Sequence, residues 1–370
     1  MPRTHPAWKG FPIVLSVLFV LVVLVAMASF TPPRKPPKRP PPIRLAETVL
    51  NDKLTPFCPH NDCVDTPRWI ELAAAREVSS PSARAVLTVL TWNVWFDRML
   101  FDQRLDAIIV ELLSRRPNVA CFQEVTPRFA SAVRNSRVLN QVYAVSQNTI
   151  YEYGCMMLVN KSWAPTFEEI ALPTRMGRSL LVSQFAHPSL GGDPALVHAV
   201  ATVHLESLNS ERARAEQLDI CRAHLRPFSN AVLCGDFNFD STQTWGDWRP
   251  GARPRPAAEL ENHVLARALP DFVDVWPLLR PEDAGITFDG ASNPCVHDRA
   301  ERMRYDRIVL KQPARAAAAS PGSLLRPVAI EMVGTEPLAD SRYLPSDHFG
   351  LLATFQFADC RPPARGCVTS

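Results

Sequence analysis

Six places in this 370-residue chain carry side chains suited to chemistry, and each falls where an apolar run stops or starts. Asn93 ends TVLTWN, Glu124 ends VACFQE, and His204 ends VATVH. AVLC is followed by Gly235-Asp236-Phe237-Asn238, Asp306 opens DRIVL, and Asp347-His348 precede FGLLATFQF. Loops at strand ends are where a rigid scaffold holds reacting groups. Strand alternation sets Asp236 and Asn238 on one face and Phe237 on the other. A single such Asn is ordinarily a turn residue, and a lone His is ordinarily a satisfied core group. Six positions of this kind, all at strand ends, are not explained that way. Carboxylates so placed can bind a cation or take a proton from water, and amides and imidazoles can donate to developing charge.

The segments that must position these groups alternate in pattern from residue 86 onward. AVLTVLTWNVW and NVACFQEV read as buried strands. FDQRLDAIIVELLSRR repeats apolar residues at helical spacing (Leu105, Ile108, Ile109, Leu112) and stops before Pro117. PRFASAVRNSRV predicts a second helix. Strand-like runs follow at YGCMMLVN, SLLVSQFA, ALVHAVATVHL, AVLCGDFNF, YDRIVL, VAIEMVG and FGLLATFQF, with a helix near residues 210–225. That succession predicts a strand-rich α/β sandwich with helices packed outside two sheets.

Charge narrows the function. Seven of the 40 Lys and Arg fall in residues 1–45, which hold no acid, so the rest of the chain carries 33 bases against 37 acids. A net-acidic domain does not coat nucleic acid by bulk positive charge, so any phosphate contact must be local. An acidic excess also suits a cation held by carboxylates. Most of the nine cysteines sit in apolar runs, as packing thiols do, which favours a reducing compartment. Cys58, His60 and Cys63 read as half of a zinc site or as a small disulfide loop, and no second pair completes a zinc site.

Ahead of the domain, residues 11–30 (FPIVLSVLFVLVVLVAMASF) lack any charge and match the length of a membrane-spanning helix. The reading is a 1–10 tail, an 11–30 transmembrane anchor, a 31–45 Pro/basic linker, a 46–85 lead-in segment, an 86–357 catalytic domain and a 358–370 tail. More bases follow the anchor than precede it, which predicts a single-pass protein with its domain on the cytosolic or nucleoplasmic side. The rival is a cleaved signal peptide ending at Ala28, giving a secreted enzyme. The linker predicts a polyproline II spacer of about 45 Å at ~3.1 Å per residue.

NVWF (93–96), CFQEVTP (121–127), MGRSLL (176–181), HLES (204–207), GDFN (235–238), DVW (274–276), GITFD (285–289), YDRI (305–308) and LPSDHFGLL (344–352) together resemble the endonuclease/exonuclease/phosphatase family, most closely its plant-type tyrosyl-DNA phosphodiesterase branch. The likeness spans about residues 86–357. It implies a four-layered α/β/β/α sandwich (DNase I-like), catalytic Mg²⁺ with Mn²⁺ able to substitute, and hydrolysis of a 5′-phosphotyrosyl DNA bond in DNA repair, with a single-stranded end preferred. No protein partner is implied. Arg304-Tyr305 ahead of DRI depart from the Trp-Cys of inositol 5-phosphatases. The open alternatives are a membrane-tethered phosphoesterase acting on a lipid or another nucleic-acid phosphodiester, and a secreted DNase-like nuclease. A catalytically idle binding module fits poorly, because every catalytic position holds the chemically required residue.

Roles follow from what a phosphodiester demands, namely a cation, a base for water and donors for the developing charge. Glu124 is the expected Mg²⁺ ligand and Asp347 a second, water-mediated one. Asp236 is the expected base, with Asn238 and Asn93 holding phosphate oxygen and water in line. His348 is expected to donate to the phosphoryl group. The resemblance assigns Asp306 to orient His348 and places His204 as a phosphate-binding or acid group. Arg178 is expected to make a bidentate phosphate contact, and Trp276 and Phe288 to stack on bases of a single-stranded end.

Overall fold

The computed structural model describes residues 86–186, 197–253, 255–312 and 324–358. Its strands are β1 (Val86–Asn93), β2 (Val119–Val125), β3 (Tyr143–Val145), β4 (Gly154–Asn160), β5 (Thr166–Ala171), β6 (Ser179–Ala186) and β7 (Val197–His204). They continue with β8 (Asn230–Asp236), β9 (Phe272–Asp274), β10 (Phe288–Asp289), β11 (Arg302–Met303), β12 (Asp306–Lys311), β13 (Leu324–Val333) and β14 (Gly350–Ala358). One sheet runs β13-β14-β1-β2-β4-β3 and the other β5-β6-β7-β8-β12-β9; β10 and β11 form a separate ribbon. Both large sheets are mixed, because β1 and β2 pair parallel, as do β7 and β8, among otherwise antiparallel neighbours.

The helices are α1 (Phe101–Arg115), α2 (Pro127–Asn135), α3 (Arg137–Val142), α4 (Glu211–Leu225), α5 (His263–Ala268) and α6 (Val275–Leu279). The single helix expected over 127–138 is two. Thr126 caps α2 by accepting from the Phe129 N–H, with Pro127 at its first turn. Ser136 then leaves helical geometry and accepts from the Leu139 N–H, ending one helix and starting the next.

Strand alternation sorts the apolar residues into three buried layers. Leu87, Val89, Cys121, Met157 and Phe355 of the first sheet face Val200, Val232, Cys234 and Ile308 of the second. The intervening residues of the first sheet, Leu90, Trp92, Phe122 and Met156, pack on Ile108, Leu112, Phe129 and Leu139 of α1–α3. Leu180, Ala201, Val203 and Leu233 of the second sheet pack on Leu218, Cys221 and Leu225 of α4 and Val264 of α5. The result is the expected α/β/β/α order, a DNase I-like α/β sandwich.

The slab between the sheets turns polar at one end. Gln123 Nε2 donates to Thr91 Oγ1 (3.0 Å) and to Thr202 Oγ1 (2.9 Å), tying the two sheets together. Beyond that tie, the same inward parity delivers Asn93, His204, Asp236 and, on β12, Asp306.

One expectation is corrected. Among the described residues no helix is long and apolar enough to cross a membrane, so the single-pass localisation is withdrawn. Residues 11–30, on which it rested, lie outside the described residues, as do the rest of 1–85, the Cys58–His60–Cys63 cluster and the tail beyond Ala358. Cys121, Cys155, Cys221, Cys234 and Cys295 are free, buried thiols, as packing cysteines should be.

Candidate active site

Three neighbouring strands of the second sheet lay down a row of side chains. His204 at the end of β7 is in register with Asp236 at the end of β8, and Asp236 with Asp306 at the start of β12. Gly235 permits this close approach: its φ is +135°, and a Cβ there would lie 1.9 Å from the Val203 carbonyl oxygen. The first sheet answers from across the slab with Asn93 and with the 345–348 turn. Ser346 Oγ donates to the Asn93 carbonyl (2.6 Å), and Trp92 Nε1 donates to the His348 carbonyl (3.0 Å), fixing that turn to the end of β1.

Asp236 is the centre. Asn93 Nδ2 donates to its Oδ2 at 3.0 Å, and the same oxygen lies 3.4 Å from His204 Nε2 and 3.9 Å from His348 Nε2. Its Oδ1 accepts from the Asn238 N–H at 2.9 Å. Burial alone would raise this carboxyl, but His204, His348 and the Asn238 N–H hold it below the ordinary value. His348 Nδ1 donates to Asp306 Oδ2 at 2.7 Å. Burial works against a charged imidazole there, yet Asp306 outweighs it and holds His348 well above the usual range. His204 goes the other way: burial and the adjacent Arg178 push it down to about 3. Two buried imidazoles against one carboxylate are thus shifted in opposite directions.

Glu124 sits one residue before the end of β2 with φ +56°, left-handed geometry that turns its carboxylate into the site. Its Oε2 accepts from the Phe96 N–H at 3.0 Å and its Oε1 is 4.0 Å from His204 Nε2. Trp95, Leu208 and Asn238, also on site loops, share positive φ. Burial raises Glu124, and burial together with Glu124 raises Asp347 to about 7. A carboxylate whose charge raises its neighbour, as Glu124 raises Asp347, suits a shared cation. Among the described residues no group of three or more His, Cys, Asp and Glu gathers to hold a metal. A two-carboxylate set fits a hard ion that keeps several waters, as Mg²⁺ does, and does not fit zinc.

Phe288 on β10 lies against the His348 ring, with centroids 4.8 Å apart. Trp276 does not join the site. It is 3% exposed within the inter-sheet core, and its Nε1 donates to the Asp283 carbonyl. The stacking role expected for it is therefore corrected, since the short helix α6 turns the ring inward. Asn238 Nδ2 donates to the Leu205 carbonyl (3.0 Å), bracing the loop after β7. Arg178 is buried rather than at the surface, with Nη1 3.0 Å from His204 Nδ1, Nη2 donating to Ser207 Oγ (2.8 Å), and its guanidinium over the Tyr153 ring.

Three contributors were not singled out from sequence. Tyr153 stacks on exposed Phe96 at the mouth (5.1 Å), and Ser207 holds Arg178. Arg104 is buried in α1 and donates to the carbonyls of Val94, Trp95, Asp97 and Pro345, clamping the loops beside Asn93 and Asp347. A signal for Arg104 existed: it lies four and eight residues before Ile108 and Leu112, on the buried stripe of α1.

A model of the endonuclease/exonuclease/phosphatase family matches residues 90–348. Among solved structures, the chain is similar to D. rerio TDP2 complexed with single strand DNA product, at 24% identity over 73% of this chain and 99% of that one, with TM-score 0.58. It is also similar to TDP2 from Caenorhabditis elegans (20% identity, 78% and 80% covered, TM-score 0.58) and to the human Nocturnin catalytic domain with bound sulfate anion (17%, 75% and 96%, TM-score 0.50). No curated protein sequence matches the chain. At these identities the structural likeness speaks for the fold. The family match spans most of the chain and carries the polar strand ends with it. The chain belongs to the endonuclease/exonuclease/phosphatase family of hydrolytic, generally divalent-metal-dependent phosphodiesterases and nucleases.

Proposed function

We propose that residues 86–357 form a catalytic domain that hydrolyses the phosphodiester between a DNA 5′ end and a tyrosine side chain. The observation that carries this reading is the convergence on Asp236: an ionised, buried carboxylate with Asn93, His204 and His348 all within 4 Å of one oxygen. In this scheme Asp236 takes a proton from the water that attacks in line, and Asn93 and the Asn238 N–H keep its oxygens aimed. His348, charged and steered by Asp306, donates to a phosphoryl oxygen as negative charge grows there. His204 is a second donor to the same group. Glu124 and Asp347 would hold Mg²⁺, with Mn²⁺ as a substitute; the cation would neutralise phosphoryl charge.

The leaving group favours a tyrosyl substrate. A phenolate, with a conjugate pKa of about 10, departs with little protonation, whereas a DNA alkoxide needs an acid. Likeness to a TDP2 whose structure holds a single-stranded DNA product supports DNA as the other half. The Phe288 ring, packed beside His348, supports stacking on a base of a single-stranded end. The test is a side-by-side assay on a 5′-phosphotyrosyl oligonucleotide, an abasic duplex, sphingomyelin and an inositol polyphosphate. Tyrosine release should be fastest; preference for either of the last two would sink the DNA reading.

A further inference from the structure

A guanidinium has hydrogens to give and no lone pair to offer. With Arg178 Nη1 3.0 Å from His204 Nδ1, that ring nitrogen must accept, and the proton of the neutral imidazole must sit on Nε2. Nε2 faces Asp236 Oδ2 at 3.4 Å and Glu124 Oε1 at 4.0 Å. The other tautomer would set a lone pair against two carboxylates.

We infer that Arg178 is a positioning residue: it fixes His204 as the Nε2-protonated tautomer and so presents an N–H to the reacting phosphoryl group. The 3.4 Å separation from Asp236 is longer than a good N–H···O bond, which leaves that hydrogen free for a phosphoryl oxygen. Arg178 is itself held in place. Ser207 Oγ accepts from Nη2 (2.8 Å), the Tyr153 ring lies 5.3 Å from the guanidinium carbon, and Thr174 Oγ1 accepts from the backbone N–H (3.2 Å). This explains why MGRSLL and HLES occur together: Arg178 of the first is bonded to His204 and Ser207 of the second. With Nη1 and Nη2 taken up this way and Nε buried from solvent, it acts through His204 rather than as a bidentate phosphate clamp.

The inference rests on the hydrolase reading above, but its first test needs no substrate. Long-range ¹H–¹⁵N spectra of the ¹⁵N-histidine-labelled full chain, with His204 assigned by a His204→Gln difference, read the tautomer directly. The wild type should show protonated Nε2 and bare Nδ1, and Arg178→Met should show mixed tautomers. Arg178→Lys keeps a donor and should largely restore the wild-type pattern. On a minimal aryl phosphodiester, Arg178→Met should lower kcat by roughly tenfold or more with little change in KM. An unchanged His204 spectrum in Arg178→Met, or a loss confined to KM, overturns the inference. Should that variant fail to fold, Ser207→Ala loosens Arg178 and should shift the tautomer in the same direction; no shift overturns the inference. An enzyme inert toward phosphotyrosyl DNA but active on another phosphodiester overturns the substrate alone, and the spectra still decide the role of Arg178.

Discussion

His348 Nδ1 donates to Asp306 Oδ2 across 2.7 Å, and that bond joins the two sheets, because His348 leads into β14 of one and Asp306 opens β12 of the other. It sets His348 Nε2 3.9 Å from Asp236 Oδ2 and consumes the nitrogen that would otherwise compete for substrate. Removing it should cost chemistry more than binding. Asp306→Asn is expected to lower kcat by roughly 10²- to 10⁴-fold while KM moves little. Steady-state kinetics on an aryl phosphodiester check this, and an unchanged kcat would remove His348 from the reaction.

Chelation separates the two carboxylate roles. EDTA should abolish activity, and Mg²⁺ or Mn²⁺ should restore it. Glu124→Gln should raise the cation concentration needed for half-maximal rate. Asp236→Asn should leave that concentration near wild type and lower kcat by roughly 10²- to 10⁴-fold. Metal titrations of the three proteins would decide; full activity in EDTA would exclude a metal-assisted reaction.

Trp276 and Phe288 should part company when truncated. Trp276→Ala opens a cavity between the sheets and should destabilise the fold by about 3–5 kcal/mol, seen as a lower Tm. Phe288→Ala removes a half-buried ring from the mouth of the site. It should raise KM for a single-stranded oligonucleotide while leaving a minimal aryl substrate nearly unaffected. Equal effects on both substrates would argue against base stacking.

Much of this was readable in advance because strands count by two. Asn93, His204 and Asp236 were legible as strand ends, and alternation set Asp236 on the face opposite Phe237; that the three share one inward face was not legible, because β1, β7 and β8 are apolar and buried on both faces. The contacts of Arg178 with His204 and Ser207 and the inward turn of Trp276 were not foreseen for one common reason. Neither lies within a long periodic strand, and a residue beside a turn or in a five-residue helix gives no phase from which to infer its direction. The edge strand β5 was missed because its TFEEIA is largely exposed and carries little apolar signal. The split between α2 and α3 depends on one capping serine, which a helical period passes over.

Gly235 offers a sharper test of register. Any side chain there meets the Val203 carbonyl, so Gly235→Ala must force β7 and β8 apart next to His204 and Asp236. The expected cost is about 1–3 kcal/mol in stability, together with a fall in kcat. Chemical denaturation and kinetics on the same preparation would show both; loss of stability with an intact kcat would mean that the pair tolerates separation.

The tie of Thr91, Gln123 and Thr202 acts as a gasket. On one side of it water, a cation and charged substrate must enter; on the other lie Cys121 and Cys234, wholly buried and two residues behind Gln123 and Asp236 on the same strands. A reagent that fills the reaction centre has no path to those thiols while the tie holds. Their alkylation therefore keeps time with the opening of the whole sandwich, and the rate at which they are labelled is a clock for global unfolding rather than a measure of access to the site.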